Sequence, residues 1–437
     1  MASHTPTPPI AIIGAGPCGL VLARLLELAR VPYIVFERDA SSAPHPHHQG
    51  GSLDIHTGTG QAALEAAGLK AEFEKLARHE GSVFTIRDSQ NVEHFRFGGG
   101  DGAEHTSDRP EIDRRQLRSI LLDSIPAHRV RWGKALRAVE RADAGAGTDA
   151  GAGAGSWVLR FADGSSETGF RMIVGADGAW SKVRPLLTSA KPYYSGKTYV
   201  EGRLSETNPI YAAAQQLAGA GMFMAIGAGR LIVLQQMADR TYRLYAGLRE
   251  PESLTQAGGA IDFAADIEKA KTALLELYSD WAPDLRTLIE NAEEPWRAWP
   301  LYTFAPEAFA PEAEERTWTR VPGVTLLGDA VHLSIPNGEG VNLAMVDALR
   351  LFESLSTELG FGLTDGNKNA SNKSIYNAKT DGAAIERAIA AYETAMRKSA
   401  YEHVEDGIKM SDAMFHSDGA AHMVAMFTQF SEQPGQS

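Results

Sequence analysis

Three glycines near the start of the chain have the spacing of a phosphate-binding turn. Gly14, Gly16 and Gly19 follow the apolar run 10–13 and open a segment with leucines at helical spacing. In such turns the first glycine allows the reversal, the second lets a pyrophosphate approach backbone N–H groups, and the third lets helix and strand touch. The helix N-terminus adds partial positive charge for the phosphates. These residues predict a dinucleotide site.

An acidic residue follows where such sites bind a ribose. Glu37 lies at the end of a second apolar run, 33–36, and its carboxylate can accept hydrogen bonds from ribose hydroxyls. Strand, helix and strand in this order favour a parallel sheet, because parallel strands need a crossover connection. Glu37 alone does not separate FAD from NAD. The alternative is a tight turn with an exposed glutamate.

Two further motifs place an aspartate at the end of an apolar run. Asp177 follows residues 172–174 within Gly-Ala-Asp-Gly, and Asp329 follows 324–327 within Gly-Asp-Ala. Each aspartate precedes a turn into a helix, which can bring a carboxylate to a ribityl hydroxyl and N–H groups to flavin carbonyls. Either motif alone also fits a capped turn, but the three motifs in this order predict bound FAD. The cofactor residues predicted here include Asp177, Asp329, Gly340 and Asn342.

The rest of the chain must supply two units that hold these motifs. With 437 residues, 43% of them hydrophobic, two to three domains are expected. Stretches such as 229–235 and 242–248 are typical of strands, whereas 142–155 and 362–382 lack apolar periodicity and predict loops. We predict a Rossmann-like α/β FAD-binding domain, a second and mainly antiparallel β-sheet domain for the substrate, and a long C-terminal bridging helix. Their respective bounds are 8–80, 105–190 and 320–360; 81–104 and 191–319; and 383–428.

Composition narrows the possible partners and location. The net charge of −13 disfavours nucleic acid and anionic membranes as partners. Cys18 is the one cysteine, which excludes an intramolecular disulfide and favours a small core residue in a reducing compartment. No apolar run approaches the roughly 20 residues of a membrane span. The histidines within 45–48 lie among prolines without acidic or thiol partners at metal-site spacing, so we expect no bound metal. The single cysteine and the lack of a long apolar run lead us to expect a cytoplasmic protein.

Taken together, the motifs resemble the para-hydroxybenzoate hydroxylase class of flavin monooxygenases, and within it the tetracycline-inactivating enzymes. The most specific segments are 50–56 (Gly-Gly-Ser-Leu-Asp-Ile-His), 110–114 (Pro-Glu-Ile-Asp-Arg), 181–184 (Ser-Lys-Val-Arg) and 328–330. The resemblance runs from about Ile10 to Phe427.

The resemblance implies further FAD contacts. For Asp54 and Arg114 the alternative is a local turn or a salt bridge at a helix cap. The implied contacts are Glu37 and Arg38 at the adenosine ribose, Gly51 and Asp54 on the flavin side, Arg114, and Asp329 near the ribityl-phosphate region.

The resemblance also implies substrate contacts in the second domain. Arg230 matches a substrate-contacting arginine, although a solvated strand residue is the alternative. Glu201 and Tyr245 stand where the tetracycline-inactivating enzyme has glutamine and histidine, which puts tetracycline itself in doubt as substrate. Trp299 is a further candidate lining residue, and a plain core residue is its alternative.

Two other differences from the resembled family concern the cofactors. Glu339 replaces a glutamine of the relatives, and a carboxylate there would disfavour an anionic reduced flavin unless it points away or is protonated. His47 stands where an arginine helps to bind the nicotinamide cofactor, which leaves NADPH and NADH both open.

The implied reaction uses NAD(P)H as a transient co-substrate that reduces FAD. O₂ then adds, and the resulting flavin hydroperoxide transfers one oxygen to an aromatic, phenolic or polycyclic small molecule. No protein nucleophile is implied; the flavin carries the chemistry. We expect a monomer, acting in secondary metabolism or antibiotic inactivation. The alternatives are a flavin oxidase or dehydrogenase without oxygen insertion, a non-catalytic flavin-binding protein, and an NAD-only dehydrogenase.

Overall fold

The computed structural model describes most of the chain, and the histidines at 45–48 and the predicted loop 142–155 lie outside it. The described residues are 7–43, 51–98, 108–141, 157–310, 318–363 and 378–431. In chain order the strands are β1 (Ile10–Ile13), β2 (Tyr33–Phe36), β3 (Ser52–Asp54), β4 (Phe84–Asp88), β5 (Glu93–Phe97), β6 (Glu111–Asp113), β7 (Val130–Arg131), β8 (Leu136–Arg141), β9 (Trp157–Phe161), β10 (Ser166–Glu167), β11 (Met172–Gly175), β12 (Tyr193–Leu204), β13 (Met222–Gly227), β14 (Arg230–Gln236), β15 (Tyr242–Leu248), β16 (Glu293–Thr303) and β17 (Val324–Leu326). The helices are α1 (Pro17–Leu28), α2 (Ala62–Ala66), α3 (Lys70–Glu74), α4 (Arg114–Asp123), α5 (Tyr211–Ala218), α6 (Ile267–Leu277), α7 (Pro283–Asn291), α8 (Asp329–His332), α9 (Gly340–Leu359), α10 (Ala378–Met414) and α11 (Gly419–Ser431).

Five short parallel strands form the first sheet, in the order β17-β11-β1-β2-β7. All four residues of β1 are buried, as expected for a parallel strand covered on both faces. The chain runs from β1 to β2 on one side, and β11 pairs with β1 on the other. Ligands of such sheets bind beyond the carboxyl ends of the strands where this order switches. The glycine turn after β1 lies at that edge.

The second sheet has seven strands in the order β16-β12-β15-β14-β13-β4-β5, antiparallel except where β4 lies beside β13. Alternate residues face opposite sides of a strand, so each face has its own core. One face carries Ile232 and Leu234 and packs against α5, α6 and α7; we call it the helix-covered face. The other carries Leu231 and Val233 and packs against the end of α10 and the start of α11. The predicted α/β fold with a mainly antiparallel second sheet and a long C-terminal helix is thus confirmed.

The C-terminal segment differs from the prediction in one respect. One helical stretch from Ala383 was expected, but the structure has α10 and α11, and α10 begins earlier, within the predicted loop 362–382. The break at 415–418 lets Phe415 pack into the sheet core, while Ser417 O accepts a hydrogen bond from Ala228 N at 3.1 Å. The chain turns there because these sheet contacts compete with a continued helix.

Candidate active site

The glycine turn after β1 is shaped for a phosphate. At Gly14 φ is +109°, and a Cβ there would lie 2.3 Å from the Ala176 carbonyl oxygen. At Gly19 a Cβ would lie 2.2 Å from the carbonyl oxygen of Gly14. At Gly16 no atom lies within 4 Å of the position of a Cβ. Two glycines therefore allow the close packing of α1 on the sheet, and Gly16 leaves space beside the helix N-terminus.

Glu37 is fixed at the end of β2 beside this turn. Its two carboxylate oxygens accept hydrogen bonds from Ala15 N at 2.6 Å and Asp39 N at 3.0 Å. The side chain is buried, whereas its neighbour Arg38 is exposed. A held acceptor next to an exposed cation is suitable for the ribose and phosphate of an adenosine unit.

The loop after β11 uses one oxygen of Asp177 for itself. Asp177 Oδ2 accepts a hydrogen bond from Lys182 N at 2.7 Å, and Ser181 Oγ accepts one from Arg184 N at 3.0 Å. Burial raises the pKa of Asp177 despite these hydrogen bonds. Its buried Oδ1 has no partner within the described residues. The loop thus holds Asp177 at the same edge of the first sheet as the glycine turn.

Asp329 is presented to the cleft by a glycine that permits no side chain. Gly328 has φ +58°, and a Cβ there would lie 2.9 Å from Ala344 Cβ and 3.1 Å from Cys18 Sγ. Asp329 follows as an exposed residue at the start of α8. Cys18 is buried, and burial raises the pKa of its thiol, which fits the predicted packing role.

A two-stranded ribbon, β3 and β6, lies between the two sheets and carries Gly51 and Arg114. Arg114 N donates to Gly51 O at 3.1 Å, and a Cβ on Gly51 (φ +127°) would lie 3.0 Å from the Tyr245 hydroxyl. Part of the Arg114 side chain is accessible to solvent. The surrounding protein nevertheless displaces water around the guanidinium and lowers its pKa, whereas Tyr245 and Asp329 act to raise it. Within the described ranges its guanidinium forms no ion pair, so it is a cation that can face a ligand.

Next to this ribbon is a bridge that the sequence analysis missed. His56 Nε2 lies 2.8 Å from Asp54 Oδ2, and His56 Nδ1 lies 3.0 Å from Glu339 Oε1. Burial opposes protonation, but the hydrogen bonds to both carboxylates outweigh it and raise the pKa of His56 to about 9. Glu339 is therefore paired with an imidazolium. The position of His56 within the distinctive segment 50–56 was the available signal.

Asn342 is fully enclosed between the ribbon and α9. It has no accessible surface, and its amide oxygen accepts a hydrogen bond from His56 N at 2.9 Å. Its amide nitrogen donates to Asp54 O at 2.9 Å and Gly338 O at 3.3 Å. Through these hydrogen bonds Asn342 positions the ribbon against α9. Gly340 is the first residue of α9.

Three predicted substrate residues, Glu201, Tyr245 and Trp299, share the face of the second sheet that is turned away from α5–α7. Trp299 Nε1 donates to Glu201 Oε2 at 2.6 Å, and Arg243 Nη1 donates to Glu201 Oε1 at 2.9 Å. Glu201 is thus committed to neighbours within the sheet, an arrangement that the sequence did not indicate. Burial raises the pKa of Tyr245, so its phenol stays protonated at neutral pH.

Two further aromatic residues extend this face. Tyr199 is stacked on Phe415 with ring centroids 6.3 Å apart, and its ring lies 6.1 Å from that of Tyr245. Neither Tyr199 nor Phe415 was singled out from the sequence. Tyr199 shares the strand parity of Glu201, which was a usable signal, whereas Phe415 reaches the sheet only through the break after α10. We call Tyr199, Tyr245 and Phe415 the aromatic wall.

Arg230 lies elsewhere. Its guanidinium forms an ion pair with Asp280 at 3.0 Å and lies 5.7 Å from the ring centroid of Tyr278. Tyr278 belongs to the core of the helix-covered face, opposite the aromatic wall. The structure therefore separates Arg230 from the other predicted substrate residues.

These features would suit an extended dinucleotide with its phosphates at Gly16 and its far end at the ribbon. Residues 7–204 match the family model described as FAD binding domain. Monooxygenase penA of Penicillium thymicola is 31% identical over 79% of this chain and 84% of its own length. The chain therefore belongs to the FAD-dependent monooxygenases. It is an FAD-binding enzyme of the class to which the aromatic flavin hydroxylases belong.

Solved structures share the fold. Klebsiella pneumoniae HpxO, solved with FAD and uric acid, superposes with a TM-score of 0.69 at 19% identity, over 99% of this chain and 95% of its own. The tetracycline destructase Tet(51) superposes with a TM-score of 0.62 at 15% identity, over 99% and 100% of the two chains.

Two kinds of feature are missing from the described residues. No helix there combines the length and apolarity needed to cross a bilayer. No group of three or more His, Cys, Asp or Glu side chains there could hold a metal ion.

Proposed function

We propose that this monooxygenase uses NADPH or NADH to insert one atom of O₂ into an aromatic, phenolic or polycyclic small molecule. The observation that carries the proposal is the aromatic wall, which lies across from the ribbon bearing Gly51 and Arg114. Flat ring systems gain contact area and favourable stacking against such side chains. The uric acid bound by the Klebsiella protein is a small flat ring system of this kind.

Methionines around the aromatic wall favour a bulky apolar substrate over a small polar one. Unbranched, polarisable thioethers adapt to irregular apolar shapes and contact ring edges well. Packing of this kind can adjust to several ring systems, which supports a polycyclic substrate class. The methionines in this cluster are Met222, Met224, Met410, Met414, Met423 and Met426.

In this proposal bound FAD supplies the oxygen chemistry, and the chain binds, orients and shields the reactants. Gly16 would accept the pyrophosphate, Glu37 the adenosine ribose and Asp329 the ribityl region. Arg114 would face the ring end of the cofactor. Tyr245, protonated at neutral pH, would donate a hydrogen bond to a substrate oxygen. Trp299, fixed by Glu201, would support the same wall. Arg38, Gly51, Asp54, Asp177 and Gly340 complete the proposed cofactor set.

We assign NAD(P)H to the groove between the two sheets as a transient co-substrate. The glycine turn after β1 is given to FAD, and no second turn of that sequence pattern is evident in the chain. We also propose a cytoplasmic monomer without nucleic acid or membrane partners. The net charge of −13 and the single cysteine support this, as does α10, which contacts β17 of the first sheet and the core of the second sheet within one chain.

The test is turnover of an aromatic and polycyclic panel by the purified, FAD-loaded chain under isotopically labelled O₂. We expect NAD(P)H consumption that depends on substrate, and one labelled oxygen in the product by mass spectrometry. Oxidised but unoxygenated product with stoichiometric peroxide would instead identify an oxidase. If no candidate substrate promotes reduction of the flavin by NAD(P)H, the protein would be a non-catalytic flavin-binding protein.

A further inference from the structure

His56 is held by carboxylates at both ring nitrogens. Its Nε2 lies 2.8 Å from Asp54 Oδ2 and its Nδ1 lies 3.0 Å from Glu339 Oε1. A neutral imidazole has one N–H and could donate to one carboxylate only. The geometry therefore calls for a ring protonated on both nitrogens. The His56 side chain is 10% exposed, whereas those of Asp54 and Glu339 are 39% and 44% exposed.

This bridge joins the two elements that the proposed function places at the flavin ring. Asp54 ends β3 of the ribbon, and its carboxylate oxygens lie 3.7 and 3.9 Å from where a Cβ on Gly338 would be. Glu339 is the residue immediately before α9. Asn342 ties the same two segments through its hydrogen bonds to His56 N and Asp54 O. The position of the bridge is thus fixed by backbone and side-chain contacts together.

We propose that His56 is a positioning residue that sets the reduction potential of bound FAD by compensating the charge of Asp54 and Glu339. Two-electron reduction at neutral pH takes up one proton, so the ring gains one negative charge. With His56 protonated the bridge carries a net charge of −1, and without it −2. A less negative bridge favours the reduced ring through Coulomb interaction in a partly buried site. The inference rests on the proposed position of FAD.

Titratable groups on α10 face the bridge, and they do not replace the positive charge of His56. Burial raises the pKa of Asp406, and Glu339 contributes to that rise. Burial lowers the pKa of His403 to about 3, with a further contribution from His332, so this imidazole is neutral. On the ribbon side, burial raises the pKa of Glu111 to about 7, with Asp54 contributing. Within the bridge, His56 is thus the group whose positive charge offsets the two carboxylates.

The experiment measures the midpoint potential of FAD by spectroelectrochemistry in the parent holoprotein and four variants. His56→Gln should lower the potential by an amount equal to about a tenfold change in the reduction equilibrium, or about 30 mV for a two-electron couple. Glu339→Gln should raise it by a similar factor. His56→Gln/Glu339→Gln should return close to the parent. His94→Gln is the matched control, because His94 forms an exposed pair with Asp88 at 2.9 Å on the second sheet; it should leave the potential unchanged.

Opposite shifts in the two single variants support the proposal, since a merely structural defect would not reverse its sign. Shifts of the same sign, or no shift in Glu339→Gln, would overturn it. If His56→Gln does not fold, Glu339→Gln alone decides. In a further outcome, the parent binds FAD and oxygenates substrate while the variants show the same midpoint potential as the parent. That outcome would refute this inference and leave the proposed function intact.

Discussion

The phosphate end and the ring end of the cofactor cleft are built differently. At the phosphate end the backbone sets the geometry, and Gly14 and Gly19 leave less than 2.5 Å for a Cβ. At the ring end, side chains from separate segments meet, as in the bridge from Asp54 through His56 to Glu339. Backbone contacts of this kind accept one residue type, whereas a side-chain network can be rebuilt by compensating changes. The first end therefore indicates a bound dinucleotide, and the second is where this chain departs from the enzymes it resembles.

The largest contrast is expected between two glycines of the same turn. Gly14→Ala should destabilise the FAD-free protein by on the order of 3 kcal/mol, because of the positive φ and the clash with Ala176 O. Gly16→Ala should leave the free energy of unfolding of the FAD-free protein unchanged. It should weaken FAD binding about tenfold or more, because the added methyl group occupies the space proposed for the phosphates. Chemical denaturation and FAD titration measure the two effects. Equal loss of stability in both variants would contradict the assignment of Gly16 to the ligand.

Asp329→Ala should come next in size. Losing a hydrogen bond to a charged acceptor costs about 2 kcal/mol, or roughly thirtyfold in the Kd for FAD. Stability of the FAD-free protein should change little because Asp329 is exposed. Asp163→Ala, at an exposed turn paired with Lys134, is the control and should leave FAD affinity intact. An unchanged Kd for Asp329→Ala would remove this residue from the cofactor site.

A smaller effect is expected at the aromatic wall. Tyr245→Phe removes only the hydroxyl beside Gly51 and should raise KM for the substrate by roughly fivefold, about 1 kcal/mol. Tyr211→Phe also loses one hydrogen bond, 2.7 Å to Arg240 O, but on the helix-covered face, so its KM should stay at the parent value. Steady-state kinetics with a substrate from the panel compares them. A rise in both would point to a general structural effect.

Arg230→Ala should have the smallest effect. Its partner Asp280 is 55% exposed, and such ion pairs contribute about 1 kcal/mol or less to the free energy of unfolding. We expect KM within about twofold of the parent because Arg230 points away from the aromatic wall. A tenfold rise in KM would return Arg230 to the substrate site.

What could be predicted from the sequence follows the same division. Glycine spacing and apolar periodicity predicted β1, α1 and β2, because short-range backbone constraints determine them. Contacts between distant segments, such as His56 with Glu339, leave no local pattern. Strand parity groups Tyr199 with Glu201, but which face is turned to the cofactor depends on packing, and so the resemblance alone could not show that Arg230 lies on the opposite face from Tyr245. The break after α10 is marked locally only by Gly419, where a Cβ would lie 2.4 Å from Ile226 Cγ2.

The path of α10 bears on how such enzymes can be recombined. Tyr392 donates to Leu326 O at 2.9 Å on the first sheet, a Cβ on Gly407 would lie 2.0 Å from Ser334 Oγ, and Phe415 just beyond the helix completes the aromatic wall. The residues of the aromatic wall, which we propose as the substrate site, are thus encoded in two blocks separated by the segment around Asp329. A chimera that exchanges the second sheet without the C-terminal block would join halves of two different pockets. Crossovers in shuffled libraries should therefore transfer both blocks from the same parent.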